Sequence, residues 1–128
     1  MKAHMLMTVY AVIAAVTCLL MMFTPTYYLF VYGATADAQA ELLLRYIGAL
    51  YGGFAVMAWM ARNAEISATR DAITRGLAIA NDLAAIVVVL LATSGLYNAM
   101  VWISFAVHIA FCVLFTTGRA TTPAPAAA

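Results

Sequence analysis

Three polar side chains that could do chemistry lie inside long apolar runs of this sequence: Asn81, Asp82 and His108. Asp82 lies near the middle of the run 73–93. An ionisable side chain at that depth of a membrane-spanning helix costs about 2.5–3.5 kcal/mol on insertion-type scales, so it normally faces a protein interior and has a partner. If the runs 73–93 and 100–117 form antiparallel helices, His108 lies at nearly the same depth. An Asp82–His108 contact is therefore geometrically available.

Three interpretations of this polar group remain open. The contact is a hydrogen bond or ion pair that holds two helices in register. Alternatively, Asp82, His108 and Asn81 line a site for a small ligand or a proton, since histidine can change charge near neutral pH. In the third interpretation, Asp82 contacts another subunit of a larger assembly.

Motifs for other chemistry do not occur in the sequence. It has no HExxH, no CxxC, no glycine-rich phosphate loop and no serine–histidine–acid set at a common depth. The only two cysteines, Cys18 and Cys112, lie in apolar runs, which is typical of packing residues. We therefore predict no catalytic residue, no metal site and no cofactor. The net charge of +1 and the lack of a basic cluster argue against a nucleic-acid partner.

The elements that must position these residues follow from composition. Of the 128 residues, 67% are hydrophobic and 9% are charged, whereas a soluble domain carries about 25% charged residues. The four apolar runs are 5–23, 42–60, 73–93 and 100–117, and about 20 helical residues cross a bilayer. Only helices can cross as separate segments. This predicts an all-α, antiparallel four-helix transmembrane bundle over residues 1–117, followed by a disordered cytoplasmic tail, 118–128.

The positions of the basic residues predict the orientation. With both termini in the cytoplasm, five basic residues lie on the inner side: Lys2, Arg62, Arg70, Arg75 and Arg119. Arg45 alone lies towards the outer side. By the positive-inside rule, this distribution favours an inner-membrane protein with cytoplasmic N- and C-termini.

The second run carries the glycines on which we expect the bundle to pack. Gly48-x-x-x-Gly52, followed by Gly53, leaves a helix face without side chains, so that a neighbouring helix can approach closely. Glu41 and Arg45 are spaced to form an i, i+4 pair at the start of the same helix. Before this run, the aromatic stretch 26–33 predicts a short cap at the membrane interface.

These features resemble uncharacterised bacterial families of small four-span membrane proteins, in particular a domain-of-unknown-function group with an Arg-x-x-Gly-x-x-x-Gly second helix. The segments that carry the resemblance are 45–48, 51–53, 59–63 and 94–102, with the sequences RYIG, YGG, WMARN and SGLYNAMVW. The resemblance implies a four-helix membrane bundle and no established activity.

Two functions follow from these expectations. Small-residue packing, interfacial aromatics and very little soluble mass favour a non-enzymatic accessory or assembly subunit, within a larger membrane complex or a homo-oligomer. The alternative is a membrane protein that binds or transports a small ligand, lipid, ion or proton through the intramembrane Asp82/His108 site.

Overall fold

The computed structural model describes residues 3–118, which form five α-helices and, within that range, no strand. The helices are α1 (Ala3–Phe23), α2 (Pro25–Val31), α3 (Ala38–Ala61), α4 (Ala68–Thr93) and α5 (Val101–Gly118). All except α2 are long and apolar enough to cross a membrane. The prediction of an all-α four-helix transmembrane bundle is confirmed, and the protein is a multi-pass membrane protein. Lys2 and the predicted tail from Arg119 onwards lie outside the described residues.

Small residues fill the interior of the bundle, and large apolar residues cover its outside. Ala14, Ala58 and Ala85 are buried, whereas Ile79 and Leu90 of α4 are at least 60% exposed. In lipid, apolar side chains gain little from meeting each other, so helices associate where small residues allow close approach. The exposed apolar surface is therefore the one that contacts the bilayer.

Glycines bring α3 against α1. A Cβ atom at Gly48 would lie 2.9 Å from the Cβ of Met21, and one at Gly52 would lie 3.0 Å from the Sγ of Cys18. Both glycines thus lie at the α1–α3 contact. Gly53, which we expected at the same contact, is exposed and has open space around it. Successive helical residues are about 100° apart, so Gly53 points away from the face that Gly52 shares with Gly48.

The helices α4 and α5 form a second antiparallel pair. Ser67 is the N-cap of α4 and its hydroxyl accepts a hydrogen bond from the backbone N–H of Arg70. The chain then reverses after α4 at a turn in which Gly95 has a φ of +74°, a conformation that glycine adopts without strain. α1 packs along α3, and α4 packs along α5, while contacts between the two pairs are few.

The two pairs meet in both halves of the bundle. In the half that holds the N-terminus of α1, Tyr10 packs edge-on against Phe111 and Phe115 of α5. At the opposite end, Asn98 donates hydrogen bonds from its backbone and side chain to the carbonyl oxygens of Tyr32 and Val31. The short helix α2 is thereby fixed to the start of α5, as a cap over the bundle.

Candidate functional site

One polar side chain from each long helix lies at the centre of the bundle. His108 Nδ1 is 3.0 Å from Asn81 Oδ1, and His108 Nε2 is 3.1 Å from the hydroxyl oxygen of Tyr51. The Asn81 amide nitrogen is 3.4 Å from the hydroxyl oxygen of Tyr10. We call Tyr10, Tyr51, Asn81 and His108 the polar centre. The polar centre joins the α1–α3 pair to the α4–α5 pair, between which other contacts are few.

Helical spacing brings these side chains to the interior. The buried residues of α4 follow one stripe, and Asn81 lies within it, 3% exposed. On α5, Ser104, His108 and Phe111 share a face at spacings of four and three residues. The polar centre is therefore carried on helices rather than loops, which holds its geometry rigidly.

The chemistry of the partners fixes most hydrogen positions in the polar centre. An amide oxygen can only accept, so His108 donates from Nδ1 to Asn81. Among residues 3–118, the hydrogen-bonding partners of the ring are Asn81 and Tyr51, neither of which is acidic. An unpaired imidazolium at this depth is costly, so His108 is neutral and its Nε2 accepts from the Tyr51 hydroxyl. Asn81 donates to the carbonyl oxygen of Leu77 and to Tyr10. The hydroxyl hydrogen of Tyr10 is left without an acceptor inside the polar centre.

A second group of hydroxyls lies where the α2 cap meets α5. Tyr32 and Ser104 are joined by a 2.6 Å hydrogen bond, and Tyr28 donates to Tyr32 over 3.5 Å. Burial, and then the contact with Tyr32, raises the pKa of Tyr28, so its hydroxyl stays protonated and remains a donor.

A cavity of about 450 Å³ lies between the two helix pairs, beside the polar centre. All four residues of the polar centre line it, together with Tyr28, Tyr32 and Ser104. Apolar side chains of α3 and α4 form most of the remaining wall, and no Asp, Glu, Lys or Arg is among the lining residues. A smaller cavity of about 180 Å³ adjoins the polar centre as well. The site is a mostly apolar chamber with convergent hydrogen-bonding groups.

Asp82 lies outside this site. His108 binds Asn81 and Tyr51, and Asp82 is exposed on the outer face of α4. This corrects the two interpretations that place Asp82 beside His108. Asn81 and Asp82 are about 100° apart around the helix, and only one of them can face α5. The amide occupies that position, which leaves the carboxylate near the middle of the helix on the lipid side.

The expected pair of Glu41 and Arg45 does not form either. Glu41 accepts a 2.6 Å hydrogen bond from the hydroxyl of Thr26 in α2. Arg45 reaches across to α1 and donates to the carbonyl oxygen of Met22. Both side chains therefore tie the start of α3 to the chain that precedes it.

Two members of the polar centre, Tyr10 and Tyr51, were missed from sequence. A signal for them exists, since both tyrosines lie well inside apolar runs rather than at the run ends, where interfacial tyrosines are typical. A buried tyrosine hydroxyl usually has a hydrogen-bonding partner. Within residues 3–118, no group of three or more His, Cys, Asp or Glu side chains is arranged to hold a metal ion.

Comparisons of the chain with protein-family models, curated proteins and solved structures find no match. The resemblance to bacterial four-span families stays a prediction, and the site must be interpreted from its own chemistry.

Proposed function

We propose that this protein is a non-enzymatic integral membrane protein that binds a small molecule within its bundle. The observation that supports this most strongly is the 450 Å³ cavity lined by the polar centre. Protein interiors normally contain few voids larger than a water molecule. Mostly apolar cavities of about 300–1,000 Å³ with a few convergent polar groups are typical of ligand sites.

A purely structural role explains less. Hydrogen bonds between helices would hold the pairs in register with no cavity beside them. In this protein, the polar centre lines a cavity of about 450 Å³, and Tyr10 retains a hydroxyl hydrogen that no other member of the polar centre accepts. Ligand binding accounts for both features.

Identification of co-purified molecules tests the proposal. The wild-type protein is extracted in mild detergent, and bound molecules are identified by mass spectrometry. Ala84 lines the cavity, whereas Ile86 is exposed on the outer face of the same helix. We expect a bound molecule in the wild type and in Ile86→Phe, and its loss in Ala84→Phe, which fills the cavity. Absence of any bound molecule from the wild type, or its retention by Ala84→Phe, would overturn the proposal.

A second proposal, also non-enzymatic, is that the protein assembles with other membrane subunits or with itself. Its support is Asp82, which is exposed near the middle of α4 and makes no hydrogen bond or ion pair within the described residues. A carboxylate in hydrocarbon normally has a partner. Native purification then recovers the protein in a complex, and a monomer would contradict the proposal.

We also propose that the protein lies in a bacterial inner membrane with both termini in the cytoplasm. The support is the distribution of basic residues, five of which fall on the side of the termini. A C-terminal green fluorescent protein fusion is expected to fluoresce, and a C-terminal alkaline phosphatase fusion to be inactive. The reverse pattern would contradict this orientation.

A further inference from the structure

The larger cavity has an opening that faces the bilayer. Leu43 and Leu50 of α3 and Val87 of α4 line the cavity, and each is also about half exposed or more, at 60%, 47% and 53%. Residues that belong both to a cavity wall and to the outer surface mark the place where the wall is incomplete. α3 and α4 contact each other only slightly, so the opening is a seam between them.

The seam lies at the depth of the hydrocarbon core. Leu43, Leu50 and Val87 all belong to membrane-spanning helices. The α2 cap covers one end of the bundle, and Tyr10 packs against Phe111 and Phe115 in the other half. A molecule that reaches the cavity through the seam therefore comes from the lipid phase.

The wall of the cavity selects against charge. With no Asp, Glu, Lys or Arg among the lining residues, an ionic ligand would lose its hydration without gaining a counterion. The apolar side chains of α3 and α4 fit a hydrocarbon chain or ring. The chemical class is thus a neutral, lipid-soluble molecule.

The hydrogen-bond directions in the polar centre select the polar end of that molecule. Asn81 donates to the hydroxyl oxygen of Tyr10, so the Tyr10 hydrogen is the donor that remains within the polar centre. The Tyr51 hydrogen is used on His108. A ligand that meets Tyr10 must therefore present an acceptor, such as a carbonyl or ether oxygen.

We propose that the ligand is a neutral lipid with a carbonyl or ether oxygen at one end. It passes from the hydrocarbon core through the α3–α4 seam and accepts a hydrogen bond from Tyr10. This inference rests on the proposed ligand-binding function and adds the chemical class of the ligand and its route.

Three probes of one chain length test the chemical class: 2-dodecanone, dodecane and dodecanoate. The full chain is placed in phosphatidylcholine nanodiscs at about pH 9, well above an ordinary carboxyl pKa, and bound probe is measured by mass spectrometry. We expect 2-dodecanone to bind more tightly than either other probe. Tyr10→Phe should weaken ketone binding about fivefold, the effect of one net hydrogen bond, while Tyr46→Phe on the exposed face of α3 should not.

Exchange rates test the route. Leu50→Trp narrows the seam, and Val56→Trp adds the same side chain to the outer face of α3, away from the cavity. Association and dissociation of isotopically labelled 2-dodecanone should both slow in Leu50→Trp and not in Val56→Trp. Unchanged rates in Leu50→Trp would overturn the route.

The outcomes separate this inference from the proposed function. If all three probes bind equally, or dodecanoate binds best, the cavity is still a ligand site, but the inferred chemical class is wrong. Unchanged ketone affinity in Tyr10→Phe overturns only the proposed role of Tyr10 as the hydrogen-bond donor to the ligand. If no probe binds and the purified protein carries no molecule, the ligand-binding function itself fails.

Discussion

Asn81 and Asp82 are adjacent in α4 but lie in opposite environments. Asn81→Leu removes the acceptor of His108 and the donor to Tyr10, and a buried polar group left without its partner costs about 1–3 kcal/mol. Asp82→Leu replaces a carboxylate on the lipid side of the helix with an apolar residue. We therefore expect Asn81→Leu to lower the free energy of unfolding by about 1–3 kcal/mol and Asp82→Leu to leave it unchanged or raise it.

Unfolding of the isolated protein in detergent micelles, followed by circular dichroism, measures both effects. Because the two substitutions are neighbours and create the same side chain, each is the control for the other. Destabilisation by Asp82→Leu as large as that by Asn81→Leu would mean that the carboxylate has a partner inside the bundle, contrary to its exposed position.

The sequence was sufficient to predict a polar group at this depth, but not which residue faces inwards. Membrane depth depends on position along the run, and it placed Asp82 and His108 at matching levels. The rotation of α4 depends on packing against α5, and a residue at position 81 or 82 satisfies the depth equally well. Because a carboxylate exposed to lipid is costly, we expected Asp82 to face the interior. The rotation of α4 is set instead by the stripe of small and apolar residues that includes Leu77, Ala78 and Ala85.

At the scale of the helices, glycine substitutions in α3 are expected to have opposite effects. A Cβ at position 48 lies 2.9 Å from the Cβ of Met21 and 3.3 Å from the backbone oxygen of Cys18, so Gly48→Ala forces α1 and α3 apart. Overpacking of this kind costs about 1–3 kcal/mol. Gly53→Ala meets nothing within 4 Å and gains about 0.5–1 kcal/mol from the higher helix propensity of alanine.

Thermal unfolding in the same detergent distinguishes the two variants, with Gly53→Ala as the matched control. Equal stability of Gly48→Ala and the wild type would show that the α1–α3 contact is looser than the glycine geometry implies.

The spacing of the glycines indicated a close helix contact, but spacing alone does not identify the partner helix. Cys18 and Met21 of α1 are identified as that partner only by the fold.

At the scale of the whole molecule, composition predicted the membrane and the four helices, whereas the cavity could not be predicted. In lipid, the hydrophobic effect does not drive helices to close every gap between them, so a bundle of two pairs can retain space in its interior. Whether the pairs enclose space depends on contacts that are distant in sequence. Tyr32 with Ser104 and Tyr10 with Asn81 are separated by about 70 residues, and no local pattern indicates them.

The outer surface of the bundle supports the last prediction, which concerns assembly. Asp82 lies about 21 Å from the start of α4 and about 17 Å from its end, at 1.5 Å per residue, so it cannot readily reach water at either interface. A basic or hydrogen-bonding group of another membrane subunit, or of a second copy, would pair with the Asp82 carboxylate.

We expect the wild-type protein to migrate as a complex in native electrophoresis after mild-detergent extraction. Asp82→Leu should release a monomer, while Val113→Ala on the exposed face of α5 should leave the complex intact. Co-migration of Asp82→Leu with the wild type would rule out Asp82 as the contact that holds the assembly, and a monomeric wild type would rule out the assembly itself.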